Sequence, residues 1–323
     1  VEIGILVGLN TSCVHQPFRC FAGLLLGVSI FLAAIVPGSS FGQAVGDDGS
    51  PQPPDLRAFH NSQLQSSVEQ VVREQGLWEH VESRNLAFGL VDITKIDAPR
   101  YAALNPDHMM YAASLPKIAI LLGAFVQIAE GELTLDEGLN DEMVRMIRYS
   151  DNASATSVLA KVGRQDLIDI LTSENLRLYD RDQNGGLWVG KDYARDNAYE
   201  RDPLHNLSHG ATVYQVLRFF YLLEKGELVD QRYRDAMKEI LSEPGISHKF
   251  VAGLEDRSDI KLYRKSGTWR DYHADAALVE AGKFRYIIAG LVRHPDGGKW
   301  LARLANATHD LAVEKSAQGE ESN

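Results

Sequence analysis

The chain has 323 residues, 45% of them hydrophobic and 24% charged, the composition of a globular protein that can bury a sizeable core in one large domain or two interleaved ones. Its net charge of −11 offers nothing to a nucleic-acid partner, and no basic stripe, Gly-rich phosphate loop, heptad run or internal repeat interrupts it.

Residues 1–44 read as an export signal. Arg19 stands ahead of an apolar run from Phe21 to Val36, and the small residues Gly42 and Ala44 suit cleavage after Ala44. The run is short for a membrane span, and an uncleaved anchor is the alternative. Both cysteines, Cys13 and Cys20, fall in this segment, so the cleaved chain would have no disulfide and no thiol chemistry. The expected location is periplasmic or secreted, with no stable membrane contact once the signal is gone.

Residues 45–56, rich in Gly, Asp and Pro, are expected to form a linker, and 57–315 the main folded domain. A helix is predicted over 61–75, with Leu64, Val68, Val71 and Val72 on one face. Asn85–Asp92 reads as a strand, and Tyr101–Tyr111 as a second, less regular one. From Ile118 to Ala129 the chain is apolar on nearly every side, which marks a helix buried all round, with Gly131 as its stop. A helical block over 140–172 breaks at Ser150-Asp151-Asn152 and at Gly163. Residues 176–203 are polar and Gly-rich, an ordered loop long enough to be functional. Helices resume over 211–225 and 230–241. Three strands follow, at 260–266, 272–280 and 284–293, as an antiparallel meander. A helix over 299–313 comes last, and residues 316–323 are expected to be a disordered tail. Strands near both ends of the chain and helices between them predict an α+β fold. Its antiparallel sheet would be flanked by N- and C-terminal helices, with an all-helical lobe over about 118–245 and a site between the lobes.

Three short pieces carry chemistry. Ser114 and Lys117 lie three residues apart at the start of the buried helix, with Pro116 in its first turn, where a missing N–H does no harm. A helix start offers free N–H groups to a developing oxyanion, and an enclosed lysine has a lowered pKa and can take a serine proton. Ser150-Asp151-Asn152 and Lys265-Ser266-Gly267-Thr268 are the others. Alone, the first is an ordinary helix cap and the second an ordinary turn. In this order, on helix, inter-helix loop and strand, the three are far more specific.

Together they resemble the serine beta-lactamase and penicillin-binding protein superfamily, most nearly the class A beta-lactamases, over almost all of the chain after residue 57. The resemblance implies a serine hydrolase that opens beta-lactam rings through an acyl-serine. A D-Ala-D-Ala peptidase of the penicillin-binding type, or a slowly deacylating sensor domain, is the alternative. It implies Ser114 as nucleophile, Lys117 as its proton partner, and Ser150 as the group that passes a proton to the leaving nitrogen. Asn152 would hold the substrate amide; Lys265, Ser266 and Thr268 would bind the substrate carboxylate, with Gly267 allowing close approach. The N–H groups of Ser114 and Thr268 would form the oxyanion hole. No cofactor is implied, and the expected partner is a small beta-lactam or peptidoglycan-like peptide met by a monomer.

The sequence departs from class A in two places. The interval from Ser114 to Ser150 is short, and the loop after Leu176 lacks the glutamate that activates the deacylating water. Gln183 falls near its expected place, and a neutral amide cannot act as a base; Asp182 is the candidate substitute. His205 and His209 have i,i+4 spacing but no third ligand, so no metal is expected, and Ser208-His209 reads as the start of the next helix. Lys191 and Asp192 are placed as a loop salt bridge. Trp188 and Trp269 are candidates to flank the cleft or to pack in the core.

Overall fold

A computed structural model describes residues 55–258 and 260–318. The expected signal, residues 1–44, and most of the expected linker lie outside the described residues. The linker boundary moves: Leu56 is fully buried and begins a 3-10 turn over Leu56–Phe59, so the folded body starts by Asp55.

Helix α1 (Ser62–Glu74) is capped by the Asn61 side chain, which accepts from Leu64 N–H at 2.8 Å, and it buries Leu64, Val68, Val71 and Val72 as their spacing predicts. A short α2 (Trp78–Glu82) leads to β1 (Leu86–Asp92), buried along its whole length. The expected second strand divides in two. Strand β2 (Arg100–Leu104) pairs with β1, whereas β3 (Met110–Tyr111) joins a different sheet and runs into Ser114.

Helices α3 (Lys117–Glu130), α4 (Glu137–Arg148), α5 (Asn152–Val162) and α6 (Arg164–Thr172) form the helical lobe. The all-round apolarity of α3 has its cause here: α4, α5 and α6 all touch it, as does α8 (Gln231–Leu241). Gly131 ends α3 in the left-handed region at φ 84°.

Residues 176–212 contain short strands that the composition hides. Strand β4 (Tyr179–Asp180) pairs with β5 (Gly185–Gly186), and β6 (Trp188–Val189) with β7 (His209–Ala211). Strand β7 also pairs with β3, in the order β3-β7-β6, which ties the loop to the segment that delivers Ser114. His209 therefore lies in a strand rather than at a helix start; α7 (Val213–Lys225) begins later, capped by Thr212.

After α8 and a short α9 (Phe250–Leu254) come β8 (Ile260–Trp269), β9 (Tyr272–Ala281) and β10 (Phe284–Arg293), then α10 (Gly297–Gln318). The last helix runs beyond the expected start of the disordered tail. The main sheet has the order β2-β1-β10-β9-β8, antiparallel throughout, with Leu86 opposite Val292 and Asp92 opposite Tyr286. One hydrophobic cluster joins α1, α9 and α10 to one face of the sheet; a second joins its other face to α7 and the helical lobe. This is the predicted α+β arrangement. Among the described residues no helix is long and apolar enough to cross a membrane.

Candidate active site

Strand β3 ends at Tyr111, and a tight turn over 113–116 carries the chain into α3. Ala113 has φ 51°, a left-handed conformation uncommon for a residue with a Cβ, and it directly precedes Ser114. Successive short-range bonds wind the turn: Leu115 N–H donates to Ala112 O at 3.0 Å and Lys117 N–H to Ser114 O at 3.3 Å. The N–H of Ser114 itself has no acceptor among the described residues. Ser114 is half-buried at the mouth of this turn.

Lys117 is fully buried. Its Nζ donates to Ser150 O at 2.6 Å, Asp151 O at 3.2 Å and Asn152 Oδ1 at 2.8 Å, so the second motif is wrapped round the first. Burial pushes its ammonium down to about 7, against a smaller opposing effect of the Asp151 charge. Asp151 caps α5, its carboxylate accepting from Ser154 N–H at 2.7 Å. Ser150, just ahead of the cap, has φ 60°. With Oδ1 of exposed Asn152 held by Lys117, the Asn152 amide NH2 remains as a donor.

The end of β8 forms the other wall. Lys265 is buried and donates to Ser150 Oγ at 3.0 Å and to Ser266 O at 2.7 Å. Burial, and then the charge of Lys117, hold it well below the usual lysine range. Lys117 and Lys265 thus grip Ser150 from two sides, one at its carbonyl and one at its hydroxyl. Gly267 is pressed against the Ser114 turn: a Cβ there would lie 2.2 Å from Ala112 O and 2.7 Å from Ser114 N. Only a residue with no side chain admits that approach.

Beneath Thr268 stands a group that the motifs do not announce. Lys249 is 3% exposed, and its Nζ donates to Gly267 O at 2.6 Å, Thr268 Oγ1 at 2.8 Å and Ala274 O at 3.1 Å. Burial lowers its pKa to about 8. Next to it, Arg264 and Asp275 form a buried pair at 2.7 and 2.8 Å, and Asp275 also accepts from Phe250 N–H. The segment that presents Lys249 is therefore fastened to the sheet. Three buried lysines converge here, while the one buried carboxylate among them, Asp275, is committed to Arg264. In a chain of net charge −11 this is a local gathering of N–H donors with only one carboxylate among them.

The loop over 176–212 supplies Tyr193. Its hydroxyl donates to Ala113 O at 3.2 Å, Lys117 Nζ lies 4.5 Å from its ring centroid, and the His209 ring lies 4.3 Å away. Asp182 is not brought to the cluster. It sits in a 3-10 turn beside Asp55, Arg57 and Asp107, where neighbouring Gln183 accepts from Arg57 at 2.9 Å and Asn184 donates to Asp107 O at 2.6 Å. The β4–β5 hairpin carries these residues onto the N-terminal segment instead. Asp192 pairs with Arg164, not with Lys191. His209 Nε2 faces Lys191 O, and His205 Nε2 faces Asn184 O. Trp188 is buried against Tyr179, whereas Trp269, beside Thr268, is 56% exposed. Ser114, Lys117, Ser150, Asn152, Lys265, Gly267 and Thr268 therefore meet in one place, with Ser266 on the same strand. Lys249 and Tyr193 join them without a local sequence signature.

None of the curated proteins compared with the chain matches it. Solved structures do. A beta-lactamase from Sphaerobacter thermophilus superposes with a TM-score of 0.60 at 16% identity, over 77% of this chain and 97% of that one. A mutant of PBP-A, determined as an acyl-enzyme complex with penicillin G, superposes with a TM-score of 0.60 at 20% identity, over 81% and 99%. A class A beta-lactamase representative from Bacteroides cellulosilyticus gives 0.59 at 15% identity, over 77% and 96%. At such identities these likenesses speak for the fold alone. The sequence model of the Beta-lactamase enzyme family matches residues 82–143 and 138–312, from just before β1 into the last helix and across every residue of the cluster. With two lysines joined through Ser150 at the meeting of helix, loop and strand beside Ser114, the chain belongs to the beta-lactamase enzyme family of serine hydrolases.

Proposed function

We propose that this protein opens beta-lactam rings through an acyl-Ser114 intermediate. The observation that carries this is Ser150 beside Ser114, held at its carbonyl by Lys117 and at its hydroxyl by Lys265. Neutral Lys117, abundant near pH 7, takes the Ser114 proton as Oγ attacks the ring carbonyl. The unpaired Ser114 N–H, with the N–H of Thr268, steadies the oxyanion. As the C–N bond breaks, the Ser150 hydroxyl hands its proton to the departing nitrogen and recovers one from Lys265, whose Nζ donates to its Oγ. Lys265 and the Ser266 and Thr268 hydroxyls hold the substrate carboxylate, and the Asn152 amide holds its side-chain carbonyl.

The test is a time course of intact mass with benzylpenicillin, with drug loss followed in parallel. A penicilloyl adduct or steady drug loss is expected from the wild type, and neither from Ser114→Ala folded to the same melting temperature. Drug loss by that variant overturns the assignment. One observation favours a second outcome of the same chemistry. The groups on Lys117 Nζ are two backbone carbonyls, an amide oxygen and an aromatic ring, with no carboxylate side chain among them. That supports a penicillin-binding peptidase or sensor, in which the adduct outlasts the drug. We further propose that the protein is exported and acts in the periplasm or outside the cell; fractionation of expressing cells tests this.

A further inference from the structure

We propose that Tyr193 sets the lifetime of the acyl-enzyme by keeping the hydrolytic water away from the Ser114 ester. This rests on the acyl-Ser114 reading above and concerns the second half of the reaction.

Release of an acyl group requires a water oxygen to add to the ester carbonyl while a base takes one of its protons. The bond from the carbonyl carbon to Ser114 Oγ then breaks, Oγ takes that proton back, and the product leaves as an acid with one water consumed. Lys117 is the base nearest Ser114 in the chain, one turn on, and Tyr193 stands against it. The ring covers Lys117 Nζ at 4.5 Å, its hydroxyl is anchored on Ala113 O at 3.2 Å, and the His209 ring backs it at 4.3 Å. It therefore runs along the loop side of the Ser114 turn, from the base to the residue before the nucleophile. Ser150 O, Asp151 O and Asn152 Oδ1 hold Nζ from the side of the second motif. A water approaching from the loop meets an aromatic face in place of a base.

Tyr193 is also fixed. The adjacent Asp192 is paired with Arg164 of α6, and Tyr199 ties the same loop to Val189 O at 2.7 Å. His209, behind the ring, is buried, held by Lys191 O at 3.0 Å and pushed down to about 4 by burial, so it stays neutral near pH 7. Burial holds the Tyr193 phenol well above its ordinary range, so the hydroxyl remains a donor to Ala113 and does not replace the absent base. Exclusion of water is a defensible device where, as here, a named group occupies the approach.

The experiment follows the penicilloyl adduct by intact mass after removal of free benzylpenicillin, for wild type, Tyr193→Phe and Tyr193→Ala. The wild-type adduct is expected to persist. The Ala variant should lose it at least about tenfold faster, and the Phe variant, which keeps the ring, should stay near the wild-type lifetime. A faster deacylation is a gain that loosened packing alone does not produce, since damage to the site slows acylation as well. If Tyr193→Ala does not fold, Tyr193→Leu opens a smaller space and is read in the same way. Two results overturn the inference while leaving the acyl-serine reading intact: rapid drug loss without adduct in the wild type, or equal adduct lifetimes in wild type and the opened variant. Absence of both adduct and drug loss in all three proteins overturns the acyl-serine reading and this inference together.

Discussion

Gly267→Ala tests the site by distance alone, since it adds one methyl group and no charge. The added Cβ would stand 2.2 Å from Ala112 O, 2.7 Å from Ser114 N and 2.8 Å from Leu115 N, all of them backbone atoms with no side chain to turn aside. A carbon–oxygen contact relaxes to about 3.3 Å, so β8 and the Ser114 turn must part by about 1 Å. That separation opens the gap between the N–H groups of Ser114 and Thr268, and it moves the strand end proposed to bind the carboxylate away from Ser114. A displacement of about 1 Å typically costs about a hundredfold in rate, close to the loss of one oxyanion donor. Crowding itself costs about 1–3 kcal/mol, which lowers the melting temperature by less than about 10 °C for a domain of this size. Acylation by a chromogenic cephalosporin, followed by stopped flow beside a thermal melt, separates the two effects. A folded variant that acylates within about threefold of the wild type would falsify the view that Gly267 holds strand and turn at working distance.

Other outcomes follow from the buried charges. Lys117 has to be neutral to take a proton, and with its pKa at about 7 the acylation rate should climb about tenfold from pH 6 to pH 8 and then level off; a rate flat across that range refutes Lys117 as the base. Because its folded pKa lies below the ordinary 10.5, this lysine weakens the fold in full below pH 7, and the penalty fades as pH rises from 7 towards 10.5. Asp275→Asn leaves Arg264 as an uncompensated buried charge and should cost about 3–5 kcal/mol in urea unfolding; a change under about 1 kcal/mol contradicts the buried pair. Lys249→Met removes the donor to Gly267 O, Thr268 Oγ1 and Ala274 O. It should raise the drug concentration for half-maximal acylation about tenfold, because a charge-assisted contact is worth roughly 1.5–3 kcal/mol. Equal concentration dependence in the variant and the wild type would show that Lys249 does not hold Thr268 in place for the ligand.

Much of this was legible before any coordinates, for a physical reason. The helix of Lys117, the break at Ser150 and the meander of β8, β9 and β10 are local patterns, written in apolar spacing and turn residues that act over a few positions. Even the need for Gly267 was visible as a gap in side-chain volume, although not which backbone it faces. Tyr193 and Lys249 were not legible. Each acquires its meaning from partners far off in the chain, Ala113 and Lys117 for one and Thr268 for the other. Asp182 was misplaced for the related reason that two-residue strands, β4 and β5, fold its segment back onto Arg57 and Asp107. Strands that short have no periodicity to read. The Arg164–Asp192 pair, in place of the expected neighbour pair, likewise joins a helix to a loop at a separation that spacing rules do not reach.

The order β2-β1-β10-β9-β8 also sets a schedule for the growing chain. The ribosome releases β1 and the nucleophile's helix early, yet the partner of β1 is β10, with Leu86 waiting for Val292. Until then β1, buried on both faces in the finished protein, has one open edge and an uncovered hydrophobic surface. Such distant pairing makes folding slow and leaves the nascent chain prone to association until β10 arrives. It carries a safeguard as well. Ser114 and Lys117 emerge well before Lys249 and Lys265, so an incomplete chain holds the proposed nucleophile without the strand proposed to orient a substrate against it.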